Sequence, residues 1–360
     1  MSVLYILGAG CSWNYDQCVS PIPGLRPPLN SDFFKVAKRI VDKYGLEAKY
    51  GGPIIGFGHL MRDINELYGY GDSEEDTTVL DDPRLTLEGV MNHFYLEHQI
   101  FDERSQFGTS SASSSSRTNA LNELLVYTLA ETLEGPPCRK HAKLASSLNP
   151  GDVVWNFNYD LLMDNALYGL NKMSDSGYVM RFDYTLTTGG WRETSDSHSD
   201  VIVLKLHGSM NWLRCGQCGR NLLLREQKSV SAFSSTILGG GIVCPKCESK
   251  SLADLHRVIV PPAGLKNFLD MDIRYLWRTA PSCCKNTKRI VVIGYRFSDV
   301  DYELEMLLRT MVQNKTLKAN TPITIVNPKP DMVRDKFASI FGQTNISHKN
   351  DLTEFLENPT

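Results

Sequence analysis

The segment VLYILGAGCS, residues 3–12, is the part of the sequence most informative about the fold. Residues 3–7 are an apolar run that ends at Gly8 and Gly10, as happens where a buried parallel strand enters a phosphate-binding turn. Glycine lets the backbone approach a diphosphate closely, and the N-terminus of a following helix supplies N–H donors. The dinucleotide fingerprint is incomplete, because Trp13 stands where its third glycine would be. A nucleotide-binding turn is therefore indicated and a dehydrogenase is disfavoured, while a purely structural strand-to-helix turn is an equal alternative.

Further strand signals alternate with helical patterns along the chain. Apolar runs rich in branched aliphatic residues lie at 153–157, 201–206, 257–260, 289–293 and 323–326. Helical patterns follow the first and fourth of these runs, at 161–170 and 300–311. Such alternation predicts an α/β fold, with a Rossmann-like parallel sheet covered by helices on both faces.

Three kinds of region are predicted. The Rossmann-like domain consists of residues 1–60, 148–212 and 256–360. A helical insertion occupies residues 61–147, and its serine-rich run at 108–116 is expected to be a flexible loop because it has little apolar area to bury. A small zinc-ribbon module, residues 213–255, contains paired cysteines.

Four of the nine cysteines form two pairs with the spacing of metal ligands. They are Cys215, Cys218, Cys244 and Cys247. Two C-x2-C pairs are typical of a tetrahedral four-thiolate zinc site, and four thiolates leave no open coordination position for catalysis. We therefore expect a structural zinc ion. A disulfide framework is a poor explanation, since the number of cysteines is odd and the sequence shows no secretory signal.

Charge and hydropathy exclude several functional classes. The 360 residues carry a formal net charge of -3, so no global positive field attracts nucleic acid, and we do not expect it as a direct ligand. No apolar run reaches the roughly 18 residues of a membrane-spanning helix. The N-terminus lacks the basic segment of a signal peptide. We therefore expect a cytoplasmic protein without membrane contact.

Polar residues stand at the ends of two predicted strands. Asn158 and Asp160 follow the run at 153–157, and His207 follows the run at 201–206. Because the carboxyl ends of parallel strands meet at one edge of a sheet, these residues and the glycine turn can face one crevice. Taken alone, each has a simpler explanation: helix capping for the first two, and a structural hydrogen bond for the histidine. Their convergence favours cleavage of an N-glycosidic bond, in which Asn158 orients water and His207 is a general base.

Together these elements resemble the sirtuin (silent information regulator) family, especially its prokaryotic, defence-associated branch of NAD hydrolases. The sequence GAGCS at 8–12 is similar to the family's Gly-Ala-Gly-x-Ser, NYD at 158–160 to its Asn-x-Asp, and HG at 207–208 to its catalytic His-Gly. The cysteine pairs, VIGYRFS at 292–298 and IVNP at 325–328 then follow in the family's order. The match covers the chain apart from the helical insertion.

The resemblance implies that the protein cleaves the nicotinamide–ribose bond of NAD+ to give nicotinamide and ADP-ribose, in bacterial anti-phage defence by NAD+ depletion. It also implies a homo-oligomer and association with a HerA-type ring ATPase or another defence protein. The implied catalytic residues are Asn158, His207 and Asp160. The implied NAD+ contacts are Gly8, Ala9, Gly10, Cys11 and Ser12 at the diphosphate, Asn158 and Asp160 at the nicotinamide, and Gly294, Ser298 and Asn327 at the adenosine half.

Two departures from the family's pattern leave the reaction open. Protein-deacylating sirtuins carry Ala-Gly-Ile-Pro-Asp-Phe-Arg after the glycine turn, whereas this chain has PIPGLRPP at 21–28. A strand that would clamp an acylated peptide is not recognisable either. NAD+ hydrolysis is therefore favoured. The alternatives are an NAD-dependent protein deacylase or ADP-ribosyltransferase, and a non-catalytic subunit that senses NAD or another nucleotide.

Overall fold

A computed structural model describes most of the chain. The described residues are 2–45, 47–48, 52–53, 56–100, 112–187, 189–195, 197–225, 242–248, 255–260, 271–298, 301–342 and 345–358. The strands are β1 (Ser2–Leu7), β2 (Glu47–Ala48), β3 (Gly52–Pro53), β4 (Val153–Asn156), β5 (Tyr184–Thr187), β6 (Gly190–Glu193), β7 (Ile202–Lys205), β8 (Gly208–Cys215), β9 (Asn221–Leu224), β10 (Leu255–Ile259), β11 (Thr287–Ile293), β12 (Ile323–Val326) and β13 (Ile346–Lys349). The α-helices are α1 (Ala9–Ser12), α2 (Phe33–Tyr44), α3 (Phe57–Tyr68), α4 (Leu87–Ile100), α5 (Ala112–Thr132), α6 (Arg139–Ser147), α7 (Leu162–Gly169), α8 (Met271–Cys283), α9 (Tyr302–Gln313), α10 (Asp331–Phe341) and α11 (Leu352–Glu357).

A six-stranded parallel sheet is the largest sheet of the described residues. Its strand order is β13-β12-β11-β1-β4-β7. The strands β4 and β12 are buried along their whole length, as expected for parallel strands covered on both faces. Helices flank the sheet, with α6 packed on α7 and α9 packed on α10. The prediction of an α/β fold built on a parallel sheet is confirmed.

The carboxyl ends of the central strands are level with one another. In the register of the sheet, Leu7 at the end of β1 pairs with Ile293 of β11 and Asn156 of β4. Asn156 in turn pairs with Lys205 of β7, and Ile293 pairs with Val326 of β12. The residues that follow these five strands therefore leave the sheet side by side, along one edge.

A second sheet has five strands in the order β10-β8-β9-β5-β6. The strand β8 starts at Gly208, directly after His207, and pairs antiparallel with both β10 and β9. The expectation that the run at 257–260 joins the parallel sheet is wrong, because this run lies in β10. A short apolar run predicts a strand but does not identify its partner. Strands of this sheet come from both sides of the predicted domain limit at residue 213, and the domain limits stay a prediction.

The helices α2, α3 and α4 all pack against α5. From residue 124 to its end at residue 132, α5 is buried on every side, because the polar side chains of Thr128 and Glu131 are buried as well as the leucines. The prediction of a flexible loop at 108–116 is wrong for residues 112–116, because α5 begins at Ala112. Residues 108–111 lie outside the described residues. Serine costs little within a helix, and the packing of the following residues stabilises the helix as a whole.

One hydrophobic cluster joins these helices to the second sheet. It contains Phe34 of α2 and Leu124 of α5, together with Leu213, Leu222 and Leu255 of the strands β8, β9 and β10. The helices and the second sheet therefore share one core, which also includes Cys215 and Cys244. Among the described helices, none combines the length and the apolar character needed to cross a bilayer.

Candidate functional site at the carboxyl edge of the parallel sheet

The glycine turn after β1 packs directly against the end of β11. The N–H of Gly8 donates to the Ile293 carbonyl at 3.0 Å, and the N–H of Gly10 donates to the Gly294 carbonyl at 2.9 Å. A Cβ atom on Gly8 would lie 2.6 Å from the Tyr295 Cα, and one on Gly10 would lie 2.9 Å from the Gly294 Cα. Both glycines therefore have a structural reason, which is the close approach of two backbones.

Gly294 lies on the β11 side of the contact between the two backbones. Its φ of +60° lies in the left-handed region, and a Cβ atom there would be 2.1 Å from the Cys11 nitrogen. The N–H of Cys11 donates to the Gly8 carbonyl at 2.8 Å, and the Ala9 carbonyl accepts from Trp13 at 2.9 Å. The predicted diphosphate-binding and adenosine-binding glycines thus lie in contact.

Asn158, Ser12 and Asp160 form a buried polar network beside the turn. The Asn158 Nδ2 donates to the Gly8 carbonyl and to the Ser12 Oγ, each at 2.9 Å. The Ser12 hydroxyl donates in turn to the Asp160 Oδ2 at 2.5 Å. The other carboxylate oxygen of Asp160 accepts from the Leu162 N–H at 3.0 Å, at the start of α7. The structure therefore brings together the ends of β1 and β4, as the sequence predicted.

His207 lies at the end of β7 and is 4 % exposed. Its ring packs edge-on against Phe157, with 4.9 Å between the ring centroids. Its Nε2 lies 3.7 Å from the Oδ1 of Asp301, a buried carboxylate that precedes α9. The second oxygen of Asp301 accepts from the Tyr295 hydroxyl at 2.5 Å. The pKa of Tyr295 is raised mainly by burial and, to a smaller extent, by the negative charge of Asp301. The hydroxyl of Tyr295 therefore stays protonated and donates.

Sequence reasoning missed Asp301, which fell within a predicted helical pattern. An acidic residue soon after the segment at 292–298 was the one available signal, but only the fold brings it to His207. A carboxylate that accepts a hydrogen bond from an imidazole favours one tautomer and stabilises the protonated ring. At 3.7 Å the His207 and Asp301 atoms are close but beyond hydrogen-bond distance, so a small approach of the two side chains would be needed for Asp301 to orient the ring.

The other predicted adenosine-side residues lie at the ends of β11 and β12. The Asn327 Nδ2 donates to the Tyr295 carbonyl at 3.4 Å, and the Asn327 Oδ1 accepts from the Lys329 N–H at 2.9 Å. Ser298 accepts through its carbonyl from the Asp301 N–H at 3.0 Å. The side chain of Asn327 therefore stabilises the turn that follows β12, at the carboxyl edge of the sheet. Its contact with a nucleotide stays a prediction.

Cys11 faces inward and meets a second buried histidine. Its Sγ lies 3.4 Å from the Nε2 of His141 in α6, and the Nδ1 of that ring lies 3.1 Å from the Cys138 Sγ. Burial lowers the pKa of His141 to about 4, against the opposing charge of Asp160, so the ring is neutral at pH 7. The expected contact of Cys11 with a diphosphate stays a prediction.

The four paired cysteines converge at one point. All four Sγ atoms lie within 4.8 Å of one another, with 3.5 Å between Cys215 and Cys247 and 3.6 Å between Cys218 and Cys244. A tetrahedral metal bound at about 2.3 Å would require sulfur atoms roughly 3.8 Å apart, which these distances approach. The cluster can hold a metal ion.

The two cysteine pairs have the same backbone turn. The N–H of Gly219 donates to the Cys215 carbonyl at 2.8 Å, and the N–H of Glu248 donates to the Cys244 carbonyl at 2.9 Å. Both donors adopt positive φ angles, +70° for Gly219 and +58° for Glu248. A repeated turn that directs its sulfur atoms to a common point is expected of a metal-binding knuckle and not of unrelated thiols.

No protein-family model matches the sequence, and no curated protein matches it either.

Proposed function

We propose that this protein is an NAD+ hydrolase of the sirtuin type, which releases nicotinamide at the carboxyl edge of a Rossmann-like sheet. The observation that carries the proposal is the junction of the Asn158–Ser12–Asp160 network with the glycine turn, one strand away from His207. The strand order supports it. Numbered along the chain, the parallel strands stand in the order 6-5-4-1-2-3, which is that of dinucleotide-binding sheets. In such sheets the ligand binds where the order reverses, here between β1 and β11.

In the proposed reaction the bond between the ribose C1′ and the pyridinium nitrogen breaks, and its electron pair stays on the leaving nicotinamide. Water forms the new bond to C1′ and gives up one proton. The hydrogen bonds of Asn158 to Gly8 and Ser12 use its amide nitrogen, so its carbonyl oxygen would accept from water or a ribose hydroxyl. His207, which lies beside the carboxylate of Asp301, would receive the proton.

We further propose that the four-cysteine cluster holds zinc and is structural. Four thiolates suit Zn2+ and fill its tetrahedral coordination shell, so the ion would stabilise the second sheet and take no part in the reaction. The role in anti-phage defence, the cytoplasmic location, a homo-oligomer and a HerA-type or other defence partner rest on the resemblance alone and form part of the same proposal.

The second candidate is the non-catalytic subunit that senses a nucleotide. Asn158, Asp160 and His207 are all buried, and the N–H groups of Gly8 and Gly10 donate to carbonyl groups of the protein. A ligand that contacts these groups would therefore have to displace part of this edge, whether or not it is cleaved afterwards. The closed arrangement fits a protein that binds NAD+ without cleaving it as well as it fits a hydrolase.

The test is chromatographic detection of nicotinamide after incubation of the purified protein with NAD+, with and without an acylated peptide. Asn158→Ala and His207→Ala should each lower the rate by about a hundredfold or more, because they remove an electrostatic and a general-base contribution. His59→Ala, in the partly exposed ion pair with Glu74, is the matched control and should retain activity.

Each result selects one candidate. Wild-type rates in both site variants would contradict the catalytic assignment. Release of nicotinamide that requires the peptide would favour a deacylase. Saturable NAD+ binding without product, measured by calorimetry, would favour the sensing subunit.

A further inference from the structure

Lys205 is a fully buried lysine two residues before His207. Its side chain is 0 % exposed, and its Nζ donates to the backbone carbonyl of Asp160 at 2.5 Å. The same Nζ lies 3.3 Å from the Asp164 Oδ2 in the first turn of α7. Lysine is almost never buried unless it is paired, because removing an ammonium group from water is costly. The position therefore calls for an explanation.

The partners of Lys205 form a buried row of polar groups. Asp164 is 1 % exposed, and its Oδ1 accepts from the Tyr178 hydroxyl at 2.6 Å. Burial, followed by the charge of Asp164, raises the pKa of Tyr178, so the phenol stays protonated and donates. The carboxylate of Asp164 is thereby held between a phenol and an ammonium group, and the ammonium group is directed at the turn that follows β4.

This row of polar groups adds a third hydrogen-bonded contact to Asp160. The carboxylate of Asp160 accepts hydrogen bonds from the Ser12 hydroxyl and from the Leu162 N–H. The backbone carbonyl of Asp160 accepts a hydrogen bond from the Lys205 Nζ. The turn at 158–160 is thus tied to α1, to α7 and to β7 at once. Since His207 follows β7 by two residues, Lys205 connects the strand that leads to the histidine with the turn of Asn158.

Stability alone is a weak reason for this arrangement. Buried ion pairs seldom stabilise a fold more than apolar side chains of the same volume, because desolvation offsets the attraction. An apolar side chain in place of Lys205 could fill the space but could not bond to a carbonyl. The lysine therefore adds a hydrogen bond to the Asp160 backbone carbonyl that an apolar side chain could not make.

We propose that Lys205, paired with Asp164, is a positioning residue that holds the Asn158–Asp160 turn in register with His207. The inference rests on the proposed NAD+ hydrolysis, which it deepens. Misplacement of a reacting group by about 1 Å can cost up to about a hundredfold in rate. Loss of the Lys205 contact should therefore lower kcat with little change in KM.

Three variants separate positioning from stability. Lys205→Met and Asp164→Asn each leave a buried charge or carbonyl without its partner and should lower the melting temperature. The double variant Lys205→Met/Asp164→Asn removes both charges, so it should regain part of the stability while kcat stays about 10- to 100-fold below wild type. The control is Lys172→Met, because Lys172 also donates to backbone carbonyls, those of Ala145, Ser146 and Leu148, but does so at the end of α6. It should lose stability and keep kcat.

Recovery of kcat in step with stability in the double variant would overturn the inference, since a purely structural pair predicts that both return together. A second readout needs no turnover. Hydrogen–deuterium exchange of a peptide covering residues 156–164 should be faster in the double variant and unchanged in Lys172→Met. Unchanged exchange in the double variant would also overturn the inference. If wild type releases no nicotinamide, the proposed function fails, while the exchange measurement still tests the positioning role.

Discussion

Gly294→Ala should open the contact between the glycine turn and the end of β11. Two costs add together. A non-glycine residue at a φ of +60° costs about 1–2 kcal/mol. The new Cβ atom would also lie 2.1 Å from the Cys11 nitrogen and 2.3 Å from the Gly10 carbonyl carbon, so one turn must retreat by about 1 Å. Overpacking of this kind costs about 1–3 kcal/mol. The free energy of unfolding should fall by about 2–5 kcal/mol in total.

Gly69→Ala supplies the matched control. Gly69 ends α3 with a φ of +79°, and a Cβ atom there would meet no atom within 4 Å. Only the conformational cost of about 1–2 kcal/mol should appear. Urea denaturation of both variants measures the difference. Nicotinamide release per folded molecule should fall in Gly294→Ala alone, because the displaced turn carries Ser12.

Equal losses of stability in the two variants would refute the reasoning, since they would show that no steric term acts at Gly294. A Gly294→Ala variant with wild-type release of nicotinamide would separate the turn contact from the site.

Four further predictions concern the polar groups and the metal. Asp301→Asn should lower kcat for nicotinamide release by at least about tenfold and change the pH–rate profile, because the imidazole loses its carboxylate partner; an unchanged profile would remove Asp301 from the site. Because the pKa of His141 is about 4 in the folded protein and near 6.5 in an unfolded chain, stability should be lost as the pH falls from 6.5 towards 4, with about 2 kcal/mol lost at pH 5. Urea denaturation at pH 7 and pH 5 checks this, and His141→Gln should weaken the pH dependence. Elemental analysis should find about one zinc ion per chain, and Cys244→Ser should lower metal content and melting temperature more than activity per folded molecule. Asn327→Ala should raise KM for NAD+ and leave kcat near wild type, as steady-state kinetics can show.

The parallel sheet could be predicted because its central strands are buried on both faces and therefore read as continuous apolar runs. Residues 3–7 and 289–293 illustrate this, and both became adjacent strands. The strands β5 and β6 lack such a run, since Thr185, Thr187 and Arg192 interrupt them, and no strand was predicted at either place.

Some residues of the candidate site could likewise be recognised from the sequence and others could not. The short segments around Asn158 and His207 were recognisable because each polar residue directly follows an apolar run. The partners of these residues were not recognisable. Asp301 and Lys205 act through contacts between distant segments, and no local pattern distinguishes a carboxylate on a helix surface from one that faces an imidazole.

The strand β8 is eight residues long, begins directly after His207 and ends at Cys215. At about 3.3 Å per residue it spans roughly 25 Å as one hydrogen-bonded rod. Cys215 of the cysteine cluster is thereby joined to the histidine without any intervening loop. Cobalt(II), which is coloured in a tetrahedral thiolate site, would show whether this connection transmits motion. If it does, a nucleotide that displaces His207 would shift the absorption band of an ion bound at the far end of the same strand.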